Sequence, residues 1–194
     1  MAQATGPKYC VPFKRRRKHY TDYEQRLGFV KSDLPRLVVR KTGKGIIAQF
    51  VKFDTVGDKV IASAVSSMLS EYKWPARRNA PTAYLTGMLA GKKAKKNGVS
   101  KFILDIGLQV PTKGSILFSA LQGAVDAGLS ANCAKEMIDM KRTEGTHIAD
   151  YAKKISGKPE YKKLFSSYIK ENIKPENLPE LFKSTKAQIL SANI

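Results

Sequence analysis

Five consecutive cations, Lys14, Arg15, Arg16, Arg17 and Lys18, stand among the rings of Tyr9, Phe13, His19, Tyr20 and Tyr23. Guanidinium and ammonium groups grip phosphate oxygens and flat rings stack on unpaired bases, so this mixture has the chemistry of a segment that holds nucleic acid. The plainer reading is a solvated tail whose aromatics staple it to its own domain. A second group lies at Pro111-Thr112-Lys113-Gly114-Ser115. Placed between a strand and the following helix, this loop offers free backbone N–H groups, a hydroxyl and a lysine to a phosphate oxygen. In its plainer reading Gly114 makes a turn and Ser115 caps the helix.

Catalytic chemistry finds less support. Asp54 and Asp105 at strand ends are the one carboxylate pair that mimics a two-metal nuclease centre, but no further carboxylate lies at a telling spacing. A salt bridge or a helix cap is the expected role of each. His19 and His147 have no Ser or Cys partner signature. Cys10 and Cys133 lie far apart, with no second pair to complete a four-ligand metal site and no disulfide framework. Gly87-Met88-Leu89-Ala90-Gly91-Lys92-Lys93 superficially resembles a nucleotide-binding loop. It lacks four residues between its glycines and a Ser or Thr after the lysine, and its surroundings are helical. No catalytic residue, metal ligand, cofactor or small-molecule substrate is therefore expected.

The charge balance agrees with a binding role. Lys and Arg number 35 against 16 Asp and Glu, a formal net charge of +19, while the charged fraction of 26% is ordinary. The anomaly is one of sign, and such self-repulsion is relieved by a polyanion such as a phosphate backbone. No apolar stretch reaches the roughly 18 residues of a membrane span, and none of signal-peptide length follows the basic N-terminus. A cytoplasmic location without membrane contact is expected.

The elements that must position these residues read as a mixed α/β (α+β) fold, with helices packed on a mixed sheet. Residues 1–34 form a basic arm with a turn or two of helix, in which Tyr23, Leu27 and Val30 make one apolar stripe. A core domain over 35–130 opens with strands at Arg36–Lys41 and Ile46–Val51, joined through Thr42-Gly43-Lys44-Gly45 into a hairpin with a cationic tip. A third strand is predicted near Lys59–Ala64. Ala83, Tyr84, Leu85, Met88, Leu89, Gly91 and Ala94 then give helical spacing, closed by Lys92, Lys93, Lys95 and Lys96. The apolar run Phe102–Gly107 predicts a central buried strand, and Ile116 to Val125 a second helix ending by Gly128. Residues 131–194 read as a lysine-rich helical extension, with segments near Thr146–Lys154, Glu160–Asn172 and Pro179–Ala192.

Several of these segments together resemble the archaeal and eukaryotic branch of the large-subunit ribosomal protein L-eighteen family. The resemblance spans residues 8 to about 152 and rests on ordered blocks that are jointly specific. They are Tyr9-Cys10-Val11-Pro12-Phe13-Lys14-Arg15-Arg16-Arg17, Pro35-Arg36-Leu37-Val38-Val39-Arg40-Lys41-Thr42, Ile47-Ala48-Gln49, and Ala83 through Ala94. Further along come Leu104-Asp105-Ile106-Gly107-Leu108, the Pro111–Ser115 loop, Asp126-Ala127-Gly128-Leu129 and His147-Ile148-Ala149. The compact length is that of the archaeal form. The resemblance implies a non-enzymatic protein that binds 5S rRNA, helps dock it to 23S rRNA in the central protuberance, and neighbours the L-five family protein and other proteins there. It implies RNA contacts at Lys14, Arg15, Arg16 and Arg17, at Arg40, Lys41 and Thr42, and at Thr112, Lys113 and Ser115. Lys18 and Lys44 join that set from the basic run and the hairpin tip. The sequence departs from the family at Ile116, where a basic residue is common, and at Thr146, where an acidic one is. Two rival readings stand beside it, a non-specific nucleic-acid-coating protein and a metal-dependent nuclease using Asp54 and Asp105.

Overall fold

The structure, a computed structural model, describes residues 6–7 and 9–192. Residues 1–5 and Lys8 of the expected arm, residues 193–194 of the expected extension, and the side chain of Lys135 lie outside the described residues. Period-two alternation builds the sheet. Strand β1, Arg36–Lys41, turns Leu37 and Val39 inward and Arg36, Val38 and Arg40 outward. Strand β2, Ile46–Lys52, buries Ile46, Ala48 and Phe50. The two pair antiparallel with Leu37 opposite Phe50 and Val39 opposite Ala48, so their apolar faces coincide. Strand β3, Lys59–Val65, runs antiparallel to β2 and adds Ala62 and Ala64.

Helix α3, Ala80–Lys96, starts where Asn79 Oδ1 accepts from the Thr82 N–H at 3.0 Å, with Pro81 in its first turn and Lys93, Lys95 and Lys96 in its last. Strand β4, Lys101–Asp105, pairs parallel with β1, and helix α4, Ile116–Asp126, returns the chain to the two-residue strand β5, Ser130–Ala131, beside β4. The resulting order is β3-β2-β1-β4-β5, the mixed sheet expected. One strand assignment needs correction. The central position belongs to β1, whereas β4 lies next to the short edge strand, with Ile103 and Leu104 only half-buried. Its apolarity on both faces has a different cause: Phe102 packs edge-on to Phe50 at 5.2 Å on the inner side, and Phe29 from the arm shares an outer hollow with Ile103.

Helices α3 and α4 back the sheet and cross at backbone contact. A Cβ at Gly87 would lie 2.0 Å from the Ala120 carbonyl oxygen, and one at Gly123 would lie 2.0 Å from that of Tyr84. The glycines that superficially resembled a nucleotide loop thus serve a helix crossing. The arm contributes a single turn, α1, Lys14–Arg17, and helix α2, Tyr23–Lys31, whose N-terminus is capped by Asp22. The helix is where the apolar spacing put it, but its inward face differs. Tyr23 and Leu27 stay exposed, while Gln25, Arg26 and Phe29 turn toward the outer face of the sheet. An ion pair made by Arg26 holds it in that rotation.

The C-terminal third is helical: α5 Met140–Glu144, α6 Thr146–Ile155, α7 Pro159–Leu164, α8 Ser166–Lys170 and α9 Leu178–Ser191. The single segment expected over Glu160–Asn172 is divided at Phe165 into α7 and α8, because Phe165 leaves helical geometry and buries its ring. Helix α9 joins the main core, Phe182 stacking near Tyr84 at 5.2 Å and Trp74 at 6.2 Å. The Trp74 indole N–H donates to Thr82 Oγ1 at 2.9 Å, which satisfies both buried groups.

Candidate nucleic-acid interface

All five cations of Lys14–Lys18 are exposed, and none pairs with a carboxylate among the described residues. The Arg15 guanidinium donates to Thr21 Oγ1 at 3.1 and 3.3 Å, bracing the turn from within. Lys18 Nζ stands 5.9 Å from the Tyr20 ring centroid, and Phe13 is 86% exposed, a ring with no apolar cover of its own. The cation and aromatic mixture therefore faces solvent, the disposition needed for phosphate and base contact.

The arm is seated on the sheet by an alternating row of charges. Arg26 Nη2 lies 3.0 Å from each oxygen of Asp58, and Arg36 pairs with the same carboxylate. Arg36 Nη1 also reaches Asp105 Oδ2 at 3.0 Å, and Arg40 Nη2 reaches Asp105 Oδ1 at 3.0 Å. Asp105 is 5% exposed and completes its shell with the Gly107 N–H at 2.8 Å. Gly107 has a φ of +64°, and a Cβ there would stand 3.1 Å from the Arg40 guanidinium, so glycine answers both demands. Buried charges persist where they are paired and hydrogen-bonded, and this row meets that condition. It borders a cleft of about 310 Å³ that Arg15 and Tyr20 close from the arm side.

The hairpin tip uses its hydroxyl internally. Thr42 Oγ1 accepts from the Gly45 N–H at 2.9 Å and donates to the Gly45 carbonyl at 3.0 Å. Lys41 and Lys44 remain exposed beside it. Arg78 joins them, with Nη1 3.5 Å from the Thr42 carbonyl. Its sequence signal was the Arg77-Arg78 pair before α3, of which Arg77 is taken by Glu171 and the Ser167 carbonyl.

The loop before α4 lies elsewhere. Thr112 and Lys113 are exposed, and none of residues 111–115 lines the cleft shared by Arg15 and Arg40. Gly114 donates its N–H to the Met137 carbonyl at 2.9 Å and sits against Asp139 and Arg142. Ser115 occupies the N-cap position of α4, yet its hydroxyl makes no cap bond and has no hydrogen-bond partner among the described residues. The structure thus unites arm and β1 in one surface and sets the loop apart, beside a cation, Arg142, that sequence reading omitted. It also omitted Arg26 and Arg36, whose role depends on carboxylates far along the chain.

Both carboxylates weighed for metal chemistry are in ion pairs, as expected. Asp54 pairs with Lys59, which together with the Val56 backbone N–H holds its carboxyl below the usual range. Asp105 is saturated by arginines and Gly107, and the two do not share a site. His19 lies exposed in the arm, and burial and the nearby Arg142 push the His147 imidazole below its ordinary value.

Residues 7–101, from the arm through α3 to the first residue of β4, match the family model described as ribosomal large subunit proteins 60S L5 and 50S L18. The matched stretch contains the exposed arm cations, the hairpin and most of the arginine–aspartate row. With the arm and β1 sharing one surface and that family's pattern running through both, the chain belongs to the L5/L18 family of large-subunit ribosomal proteins.

Proposed function

We propose that this ribosomal protein binds 5S rRNA and helps attach it to 23S rRNA in the central protuberance, beside the protein of the L-five family. The observation that carries this reading is the seating of a basic, aromatic arm on the outer face of the sheet by the Arg26–Asp58–Arg36–Asp105–Arg40 row. A free tail would lose its ordering entropy on binding, whereas a seated arm presents its cations already placed. Lys14, Arg15, Arg16, Arg17 and Lys18 neutralise phosphates, and Tyr20 and Phe13 offer faces to unpaired bases. Lys41 and Lys44 at the hairpin tip extend the contact. Arg40 contributes as a held donor, with about two-fifths of its side chain exposed. Thr112 and Lys113, both exposed, form a second contact at the start of α4, whereas the Ser115 hydroxyl is buried without a partner and does not reach the RNA. The role is structural and calls for no catalysis.

The test is 5S rRNA binding by the full chain across a salt series. Replacing Arg15, Arg16 and Arg17 with Ala should weaken binding and reduce the magnitude of the log–log salt slope by roughly 0.7–0.9 for each phosphate no longer neutralised. An unrelated RNA duplex at matched salt should bind far more weakly. Equal affinity for the two RNAs would make the protein a non-specific coat, and an unchanged slope would remove the arm from the interface.

A further inference from the structure

Away from the arm, α7, α8 and the chain leading out of α8 enclose an open groove of about 630 Å³. Its floor is apolar: Tyr161, Ile169 and Ile173. Asn172, two residues beyond α8 and at a φ of +55°, turns the chain so that Ile173 donates its N–H back to the Tyr168 carbonyl at 3.0 Å, which brings Ile173 alongside Ile169. Ile169 is 42% exposed, and Leu164 at the end of α7 is 57% exposed. The rim is cationic, with Lys162, Lys170 and Lys174 lining the groove and no carboxylate among its lining residues. Of two neighbouring carboxylates, Glu171 pairs with Arg77, and Glu176, which does not line the groove, accepts the hydroxyl of the floor's Tyr161 at 2.7 Å and is outnumbered by the three lysines. The three ammonium groups therefore set the sign of the rim.

We infer that this groove docks an acidic amphipathic segment of a neighbouring protein, its apolar side chains on Ile169 and Ile173 and its carboxylates on the three lysines. Charge complementarity sets the occupant's sign, and the floor sets its class. The branched aliphatic side chains of Ile169 and Ile173 give a base no flat face to stack on and no hydrogen bond, and Tyr161 has its ring packed on Phe165 at 5.3 Å and its hydroxyl already used. They suit the leucine or isoleucine anchors of a helix laid in a groove, and the rim is the polar border that such interfaces carry. The inference rests on no RNA contact of the arm.

The probe is a fluorescent peptide of about 14 residues, close to four helical turns, with Leu along one face and Glu on the other. A scrambled peptide of equal composition has the same charge and no apolar face. Anisotropy titrations use the full chain at physiological salt. Ile169→Asp, and separately the reversal of Lys162, Lys170 and Lys174 to Glu, should each weaken binding by about tenfold or more, as should scrambling. Reversing the exposed Lys96, Lys101 and Lys183 should change it less than about threefold, the effect of net charge alone. Far-UV circular dichroism and urea unfolding establish that each variant is folded, and unchanged 5S rRNA binding by Ile169→Asp separates this groove from the arm. Equal binding of both peptides, or indifference to Ile169→Asp, would overturn the inference. So would a uridine oligonucleotide that loses affinity on reversal of the groove lysines while the peptide does not, which would make the groove an RNA surface.

Discussion

Gly87→Ala is the sharpest test of how the scaffold holds together. The added Cβ would stand 2.0 Å from the Ala120 carbonyl oxygen, 2.7 Å from its carbon and 2.9 Å from its Cα, all of them backbone atoms that no rotamer change can move. Restoring an ordinary C···O separation of roughly 3.3 Å requires α3 and α4 to part by about 1.3 Å. A gap of even 0.5–1 Å forfeits roughly a quarter to a half of the dispersion energy along a contact, and overpacking strain costs about 1–3 kcal/mol or more. Helix propensity returns about 1 kcal/mol, since Ala is the better helix former. The crossing also carries Gly123, with the reciprocal contact on Tyr84, so separation disturbs both sites at once. The net loss should be about 3 kcal/mol, read as a lower urea midpoint at unchanged m-value. Gly28→Ala in α2 is the matched control. Nothing lies within 4 Å of its Cβ position, and there the same change should gain about 0.5–1 kcal/mol. A Gly87→Ala protein within about 0.5 kcal/mol of the parent would refute the backbone-contact account, because propensity alone cannot offset a real 2.0 Å overlap.

Further outcomes follow from the charge pairs and from two hydrogen-bonded phenols. Asp105→Asn should cost about 3 kcal/mol, near the lower end for breaking a buried ion pair, because Arg36 keeps Asp58 and Arg40 can turn to water. Asp54→Asn, at an exposed pair, should leave the urea midpoint almost unmoved, and equal effects at the two positions would contradict the burial argument. Lys92 Nζ donates to the carbonyls of Ile189, Leu190 and Ala192 at 2.7, 2.7 and 2.9 Å, capping α9. Lys92→Met should therefore cost about 1–3 kcal/mol and speed amide exchange in α9 while β1 and β2 keep their protection. Burial and the hydrogen bond to Asp126 raise the Tyr84 phenol far above its ordinary value near 10, and burial with the Glu176 bond pushes Tyr161 up to about 12. Their contribution to stability is complete below pH 10 and falls as pH rises from about 10 to 12, because the unfolded phenols ionise first. Tyr84→Phe should flatten that alkaline decline, and an unaltered slope would refute the assignment.

Much of the fold was legible because its signals are local. The β1–β2 hairpin declares itself by alternation around Thr42–Gly45, and α3 by the spacing of Ala83 to Ala94 and its closing lysines. Position in the sheet was not legible. The run Phe102–Gly107 looks the same in sequence whether a strand is central or merely covered by an arm that folds back over it. The rotation of α2 was likewise hidden, since the Tyr23, Leu27 and Val30 stripe competes with an Arg26 pairing whose partner, Asp58, is 32 residues away.

The same division runs through the candidate interface. Residue order was enough to set the sign of the partner, the arm's mixture of cations and rings, and the segments that carry them, all properties of residue type and near neighbours. Which polar groups are free to meet RNA depended on the folded chain. Folding left Lys14, Arg16, Arg17, Lys41 and Lys44 unpaired among the described residues, turned Thr42 inward on its own turn, and buried the Ser115 hydroxyl out of reach. It bound Arg36 to Asp105 across 69 residues and Lys92 to Ile189 across 97. A charge is neutralised by whatever lies within about 4 Å in space, and residue order does not encode that distance.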